Sequence, residues 1–166
     1  MVNTQRSLRK RESIKPQATV VFCIDEIGPM VKDYMVTPRF SLQSRNELEN
    51  YFLKLGVNCI SMFGFGQEYE ECVVQLPAFG IPGYKIILVS IYNGACLRSN
   101  EIGHIDYFQI CFFFKTEDLY EAPQADQLED PILTMCRHNF SCIRTMTRKE
   151  FRDMQDLILD IINGFN

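Results

Sequence analysis

Cys96, His104 and Asp106 are the residue types of a thiol nucleophile, an imidazole base and an orienting carboxylate, and they fall on or beside one polar stretch. Such a trio works only when the base is within hydrogen-bond reach of the thiol and a third group fixes the ring. The chain has seven cysteines and two histidines. A Cys near a His therefore carries little weight, and imidazole acid–base chemistry has few candidates. Cys136, His138 and Cys142 raise the question of a metal. Residues two apart on a helix do not share a face, and Cys142 is turned about 600° from Cys136 at roughly 3.6 residues per turn. A tetrahedral zinc needs four convergent ligands. Gly28-Pro29 and Gly64-Phe65-Gly66 raise the question of phosphate. A phosphate cradle presents free amides at a helix N-terminus after a strand. Pro29 has no amide hydrogen, and the residues after it read as a strand. Gly66 leads into Glu68, Glu70 and Glu71, which repel an anion. The adjacent carboxylates Asp25/Glu26, Glu70/Glu71 and Glu117/Asp118 sit in or near turns and read as solvated surface. No catalytic residue, cofactor or metal is expected, and the chain reads as a non-enzyme.

The elements behind these residues follow from periodicity. Residues 1–17 are mostly polar and read as a basic, disordered tail, with residues 18–166 as a single domain. Thr19–Ile24 is apolar on both faces, which predicts a central strand. Asp25–Pro29 is a turn. Met30–Val36 resumes as a second strand, less buried because of Lys32 and Asp33. Ser44 and Glu47 form a capping box, and Leu48, Tyr51, Phe52 and Leu55 follow at helical spacing up to Gly56, which predicts a three-turn helix. Cys59–Phe63, Glu71–Leu76, Tyr84–Tyr92 and Ile105–Lys115 read as strands. The acidic stretch Thr116–Asp130 reads as a loop or a loosely attached segment. Asp130-Pro131 then opens a helix with Asp130 as N-cap. In it Ile132, Cys136, Asn139/Phe140 and Ile143 form one mostly apolar stripe. Thr147 and Glu150 form a second capping box, ahead of the face Phe151, Met154, Leu157/Ile158, Ile161/Ile162 and Phe165. The fold class is α+β: a mostly antiparallel five- or six-stranded sheet, one helix after the first hairpin and two C-terminal helices.

Composition bounds the function classes. The chain has 166 residues, is 46% apolar and carries a net charge of −4. Residues 1–15 hold five basic side chains against Glu12, so +4, which leaves −8 on the rest. An acidic body argues against nucleic acid as a ligand. The basic tail allows at most a peripheral contact with an anionic membrane or an acidic partner. The apolar runs are too short to cross a bilayer, and no apolar run follows the basic N-terminus as an export signal requires. Seven cysteines with no C-x-x-C pair suit a reducing, cytoplasmic setting.

A strand ending in Phe22-x-x-Asp25-x-x-Gly28-Pro29 and running straight into Met30–Tyr34 resembles the start of a longin domain. It is most similar to archaeal longin proteins and nitrogen-permease-regulator-like proteins, in the longin/roadblock-like superfamily. The motif covers the first hairpin, and the element order covers residues 18–165. Physically, Gly28 supplies a positive φ and Pro29 fixes the entry to the second strand, so Asp25, Gly28 and Pro29 are a structural turn. The resemblance implies a non-catalytic platform in small-GTPase regulation or vesicle trafficking. Such a platform pairs with a small GTPase or another longin/roadblock-like domain, or forms a homodimer, through sheet edges or the first helix. On that helix Leu48, Tyr51, Phe52 and Leu55 are the candidate partner surface. A second reading is a small-molecule sensor with a profilin/PAS-like layer plan, which requires an apolar cavity under the sheet.

Overall fold

The computed structural model describes residues 12–24, 28–65, 68–92, 107–120, 122–139 and 146–164. β1 (Ala18–Ile24) and β2 (Pro29–Val36) form the first hairpin, and α1 (Arg45–Phe63) follows. β3 (Gly64–Phe65) and β4 (Glu68–Tyr69) make a short ribbon. β5 (Cys72–Pro77), β6 (Tyr84–Tyr92) and β7 (Tyr107–Lys115) come next. A 3-10 turn (Thr116–Leu119), α2 (Ala125–Asn139) and α3 (Arg148–Gly164) complete the order. The sheet runs β2-β1-β7-β6-β5, and every neighbouring pair is antiparallel.

Alternation along the central strands sorts two cores onto the two faces of the sheet. Val20, Phe22, Leu88, Cys111 and Phe113 pack with Leu48, Phe52, Leu55, Cys59 and Ile60 of α1. Val21, Val89, Phe108, Ile110 and Phe112 pack with Leu128 and Ile132 of α2 and with Phe151, Met154 and Ile158 of α3. All seven residues of β1 are buried, as the two-sided apolar run predicts, and β2 is only half-buried at the edge. Opposite Val21 and Phe22 the register of β2 skips Lys32, a β-bulge of the kind that twists an edge strand away from unwanted pairing.

Three expectations are corrected. First, α1 does not stop at Gly56, and Cys59–Phe63 is helix rather than strand. The chain leaves β2 at one edge of the sheet and must reach β5 at the other. Four inter-strand spacings span about 19 Å, and a helix of this length spans about 28 Å at 1.5 Å per residue. Cys59 and Ile60 are buried under the extra turns. Second, the acidic stretch is neither loosely attached nor a loop at its two ends, which are a 3-10 turn (Thr116–Leu119) and the start of α2. Leu119 is buried in the 3-10 turn and Leu128 in the first half of α2. Third, α2 begins at Ala125, so Asp130 is not its N-cap and Pro131 lies inside the helix. An internal proline forfeits one helical hydrogen bond and crowds the preceding turn. Burial of Leu128, together with the bond from Val73 N–H to Glu129 Oε2 (3.1 Å), opposes that cost.

The α3 capping box forms as predicted. Glu150 N–H donates to Thr147 Oγ1 (3.2 Å), and Thr147 N–H donates to Glu150 Oε2 (2.6 Å). The Thr147 N–H, and after it the Thr147 hydroxyl beside the carboxylate, hold the Glu150 carboxyl below its ordinary pKa. A lowered carboxyl pKa stabilises the fold above the unfolded value, and the stabilisation is lost as pH falls through the folded value. Thr147→Ala is expected to cost roughly 1 kcal/mol in urea unfolding at neutral pH, because it removes the acceptor of the Glu150 N–H while leaving the backbone N–H that holds the carboxylate. An unchanged midpoint at neutral pH is incompatible with the cap.

Candidate functional site

Of the turn Asp25–Pro29, Gly28 and Pro29 are among the described residues. Gly28 has φ +134°, a conformation that side-chain-bearing residues rarely adopt, and no neighbour crowds the place of a Cβ. Its role is therefore conformational. Pro29 pairs with Ile24 and opens β2. Asp25 and Glu26 lie outside the described residues, as do Cys96, His104, Asp106, Cys142 and Gly66. Cys136 is buried in the core, while His138 is exposed with Nδ1 2.7 Å from Thr134 O. The two do not converge. Among the described residues no group of three or more His, Cys, Asp or Glu side chains is placed to hold a metal, and no helix is long and apolar enough to cross a membrane. Glu71 is structural: Oε1 accepts from Tyr92 N–H (3.2 Å), and Oε2 pairs with Arg137 of α2.

The expected partner surface on α1 is corrected. Leu48, Phe52 and Leu55 are 3%, 0% and 2% exposed. Their spacing is that of the face α1 lays on the sheet, so they are core. Tyr51 is half-buried, with its ring 5.9 Å from Phe52 and 6.1 Å from Phe113. Phe40 stacks on Phe52 at 6.4 Å and meets Phe113 edge-on at 5.4 Å. These rings occupy the space between α1 and the sheet where a sensor would need its cavity, and they give that reading no support. Two open hollows are lined by described residues. One, of about 90 Å³, lies between residues 16–19, the end of β2 and Gln155. The other, of about 420 Å³, is lined by polar side chains including Lys15, Arg39, Glu117 and Asp118.

The outer side of α1 is different in character. Leu53 and Val57, one turn apart, are 47% and 43% exposed, among polar neighbours Asn50, Lys54 and Ser61. Residues four apart share a helix face, so the two form a single apolar flank. The spacing Leu53/Val57 was visible in the sequence, but it was masked by the stronger stripe of the core face.

Both sheet edges carry side-chain plugs. On β2, Tyr34 N–H donates to Asp33 Oδ1 (2.8 Å), and Tyr34 O accepts from Arg148 Nη1 (2.8 Å). Arg148 also pairs with Asp33. One residue thus has both backbone groups engaged by side chains, which blocks an added strand there. On β5, Glu129 takes the Val73 N–H, and Pro77 has no amide hydrogen to offer.

The N-terminal approach to β1 is tied to the body. Asn163 Oδ1 accepts from Ile14 N–H (2.8 Å), and Asn163 Nδ2 donates to Ile14 O (3.2 Å). Ile14 packs on the α2/α3 core. The ordered body therefore reaches back at least to Ile14; residues 1–11 lie outside the described residues.

Compared with protein-family models, curated proteins and solved structures, the chain matches none.

Proposed function

We propose that this chain is a non-catalytic protein-interaction platform of longin type, acting in the cytoplasm in small-GTPase regulation or trafficking-type assemblies. Its partner is a small GTPase or a second longin/roadblock-like domain. The observation that carries the reading is the Leu53/Val57 flank, an exposed apolar pair on the outside of a helix whose other face is locked into the core. Two further features support it. The element order of two strands, a helix, an antiparallel set and two closing helices is the one the longin resemblance implies. The plugs at Tyr34 and Val73 disfavour strand addition at both sheet edges, which leaves the α1 flank as the better contact. Exposed apolar area at the centre of a contact supplies most of its affinity, and charge placed there removes it.

The test is light scattering across a concentration series, alone and with candidate small GTPases in both nucleotide states. A nucleotide-sensitive complex or a homodimer is expected. The double variant Leu53→Glu with Val57→Glu should weaken it at least tenfold, about 1.4 kcal/mol, with only a small fall in the unfolding midpoint, since both side chains are nearly half exposed while the new carboxylates follow Glu49 at i,i+4 spacing. A strict monomer that binds no GTPase in either state overturns the reading.

A further inference from the structure

The segment that leads into β1 carries an exposed serine beside its fastening point. Ser13 is exposed, and Ile14 next to it is partly buried against the α2/α3 core. Both backbone groups of Ile14 are bonded to Asn163, the N–H to Oδ1 (2.8 Å) and the carbonyl to Nδ2 (3.2 Å). Farther along, Gln17 N–H donates to Phe113 O (2.7 Å) and Gln17 O accepts from Thr37 N–H (2.9 Å), which fixes the chain at the sheet. Ser13 also lines the open hollow of about 420 Å³, with Glu12, Lys15, Arg39, Glu117 and Asp118. In the sequence, Arg9-Lys10-Arg11-Glu12-Ser13-Ile14 places cations four, three and two residues before the serine and an apolar residue after it. No other serine or threonine of the chain has basic residues at both the second and third positions before it.

We propose that Ser13 is a phosphorylation site for a basic-directed serine kinase, and that the phosphate unfastens the chain at Ile14. Such a kinase meets the cations before the serine with carboxylates in its substrate groove, the kind of charge pattern by which kinases discriminate among substrates. The groove needs the flanking residues extended and free, so the kinase captures the protein with Ile14 lifted off Asn163, a local opening. Ser13 Oγ attacks the γ-phosphorus of magnesium-bound ATP. The bond from that phosphorus to the bridging oxygen breaks, ADP leaves, and the hydroxyl proton passes to the kinase's base. The product adds a charge of about −1.5 to −2 at neutral pH. Lys15 and Arg39 offset part of it, but Glu12, Glu117 and Asp118 outnumber them around the hollow. A phosphate beside acidic side chains is repelled, so refastening Ile14 becomes less favourable and the opened state persists.

The purified protein is treated with magnesium, ATP and the catalytic subunit of cyclic-AMP-dependent protein kinase, which takes basic residues at these positions, and the phosphate is mapped by mass spectrometry. One phosphate at Ser13 is expected. Amide exchange at Ile14 is then read by NMR against an unfolded peptide of the same sequence and phosphorylation state. It should be faster in the phosphorylated protein by roughly threefold or more, the scale of interactions between exposed charges. In Glu117→Gln with Asp118→Asn the acceleration should shrink, because Lys15 and Arg39 then outnumber Glu12. No phosphate at Ser13, or more phosphate at another residue, overturns the proposal. Exchange at Ile14 that is unchanged or slower after phosphorylation overturns it as well, and an undiminished acceleration in the double variant overturns the repulsion that drives it.

Discussion

Gly56→Ala should destabilise this protein by about 1–3 kcal/mol. The expected sign is opposite to that of the same change at an ordinary mid-helix glycine, where alanine gains up to about 1 kcal/mol in propensity. Gly56 lies inside α1 and is buried. A Cβ built on it meets Phe22 Cδ1 at 2.7 Å, Cε1 at 3.0 Å and Cγ at 3.2 Å. Those atoms belong to a ring with no exposed surface, in a strand buried along its whole length and paired on both sides. The ring has no free end to swing away. Relief must come from lifting α1, which loosens the contacts of Leu55, Cys59 and Ile60 with the sheet. Gly56→Val should cost more, since it adds two methyl groups at the same point and β-branching in a helix. Urea unfolding of the two variants beside the parent protein measures both. A gain in stability for Gly56→Ala would mean that α1 and β1 do not approach this closely.

The same glycine shows what the sequence could and could not convey. A glycine after an apolar helical stripe has the ordinary look of a helix end, and nothing local distinguishes it from one that opens room for a ring thirty-four positions earlier. Phe22 and Gly56 meet only through the fold. The strands were legible because their signal is local: β1, β6 and β7 have buried faces on both sides, and two-sided apolar runs of β-branched and aromatic residues say so directly. The Thr147/Glu150 cap was legible because both partners lie within one turn. The start of α2 was not. Asp130-Pro131 is a strong local signal for a helix start, and it was overridden by the burial of Leu128 and the reach of Glu129 to β5. On α1, periodicity located an apolar stripe but not which side of the stripe a partner could touch. Leu48, Phe52 and Leu55 were the conspicuous residues because they are core. The sheet-edge plugs join Tyr34 to Arg148 across the length of the chain, and no pattern in the sequence announces them.

Gln109→Glu should produce a protein whose stability falls as pH rises. Gln109 is fully buried at the centre of β7, in a row of aromatic and aliphatic side chains. Nε2, with two hydrogens to share, lies within hydrogen-bond distance of Cys59 O (3.2 Å), Ser90 Oγ (3.0 Å) and Tyr107 Oη (3.3 Å), and Tyr107 in turn donates to Glu70 O (2.9 Å). The amide thus bridges α1, β6 and β7. The new carboxyl has nearly the same shape. Protonated, it can still donate one hydrogen bond to the Cys59 carbonyl. Ionised, it places a charge in the interior against a carbonyl oxygen, and the residues that Gln109 bonds are all uncharged. Burial without a cation raises its pKa above the unfolded value of about 4.3. Between that value and the folded one, the folded state keeps a proton that the unfolded state has released. Stability relative to the parent protein then falls by about 1.4 kcal/mol per pH unit across that window. Below about pH 4.3 both states are protonated and the deficit is smallest. Gln109→Leu is the contrast: it removes the bridge without adding a charge, so its deficit should not vary with pH. Urea midpoints of the three proteins from acid to neutral pH separate these cases. A pH-independent deficit for Gln109→Glu would mean that water reaches the bridge and that α1 is not sealed onto β7 at Cys59.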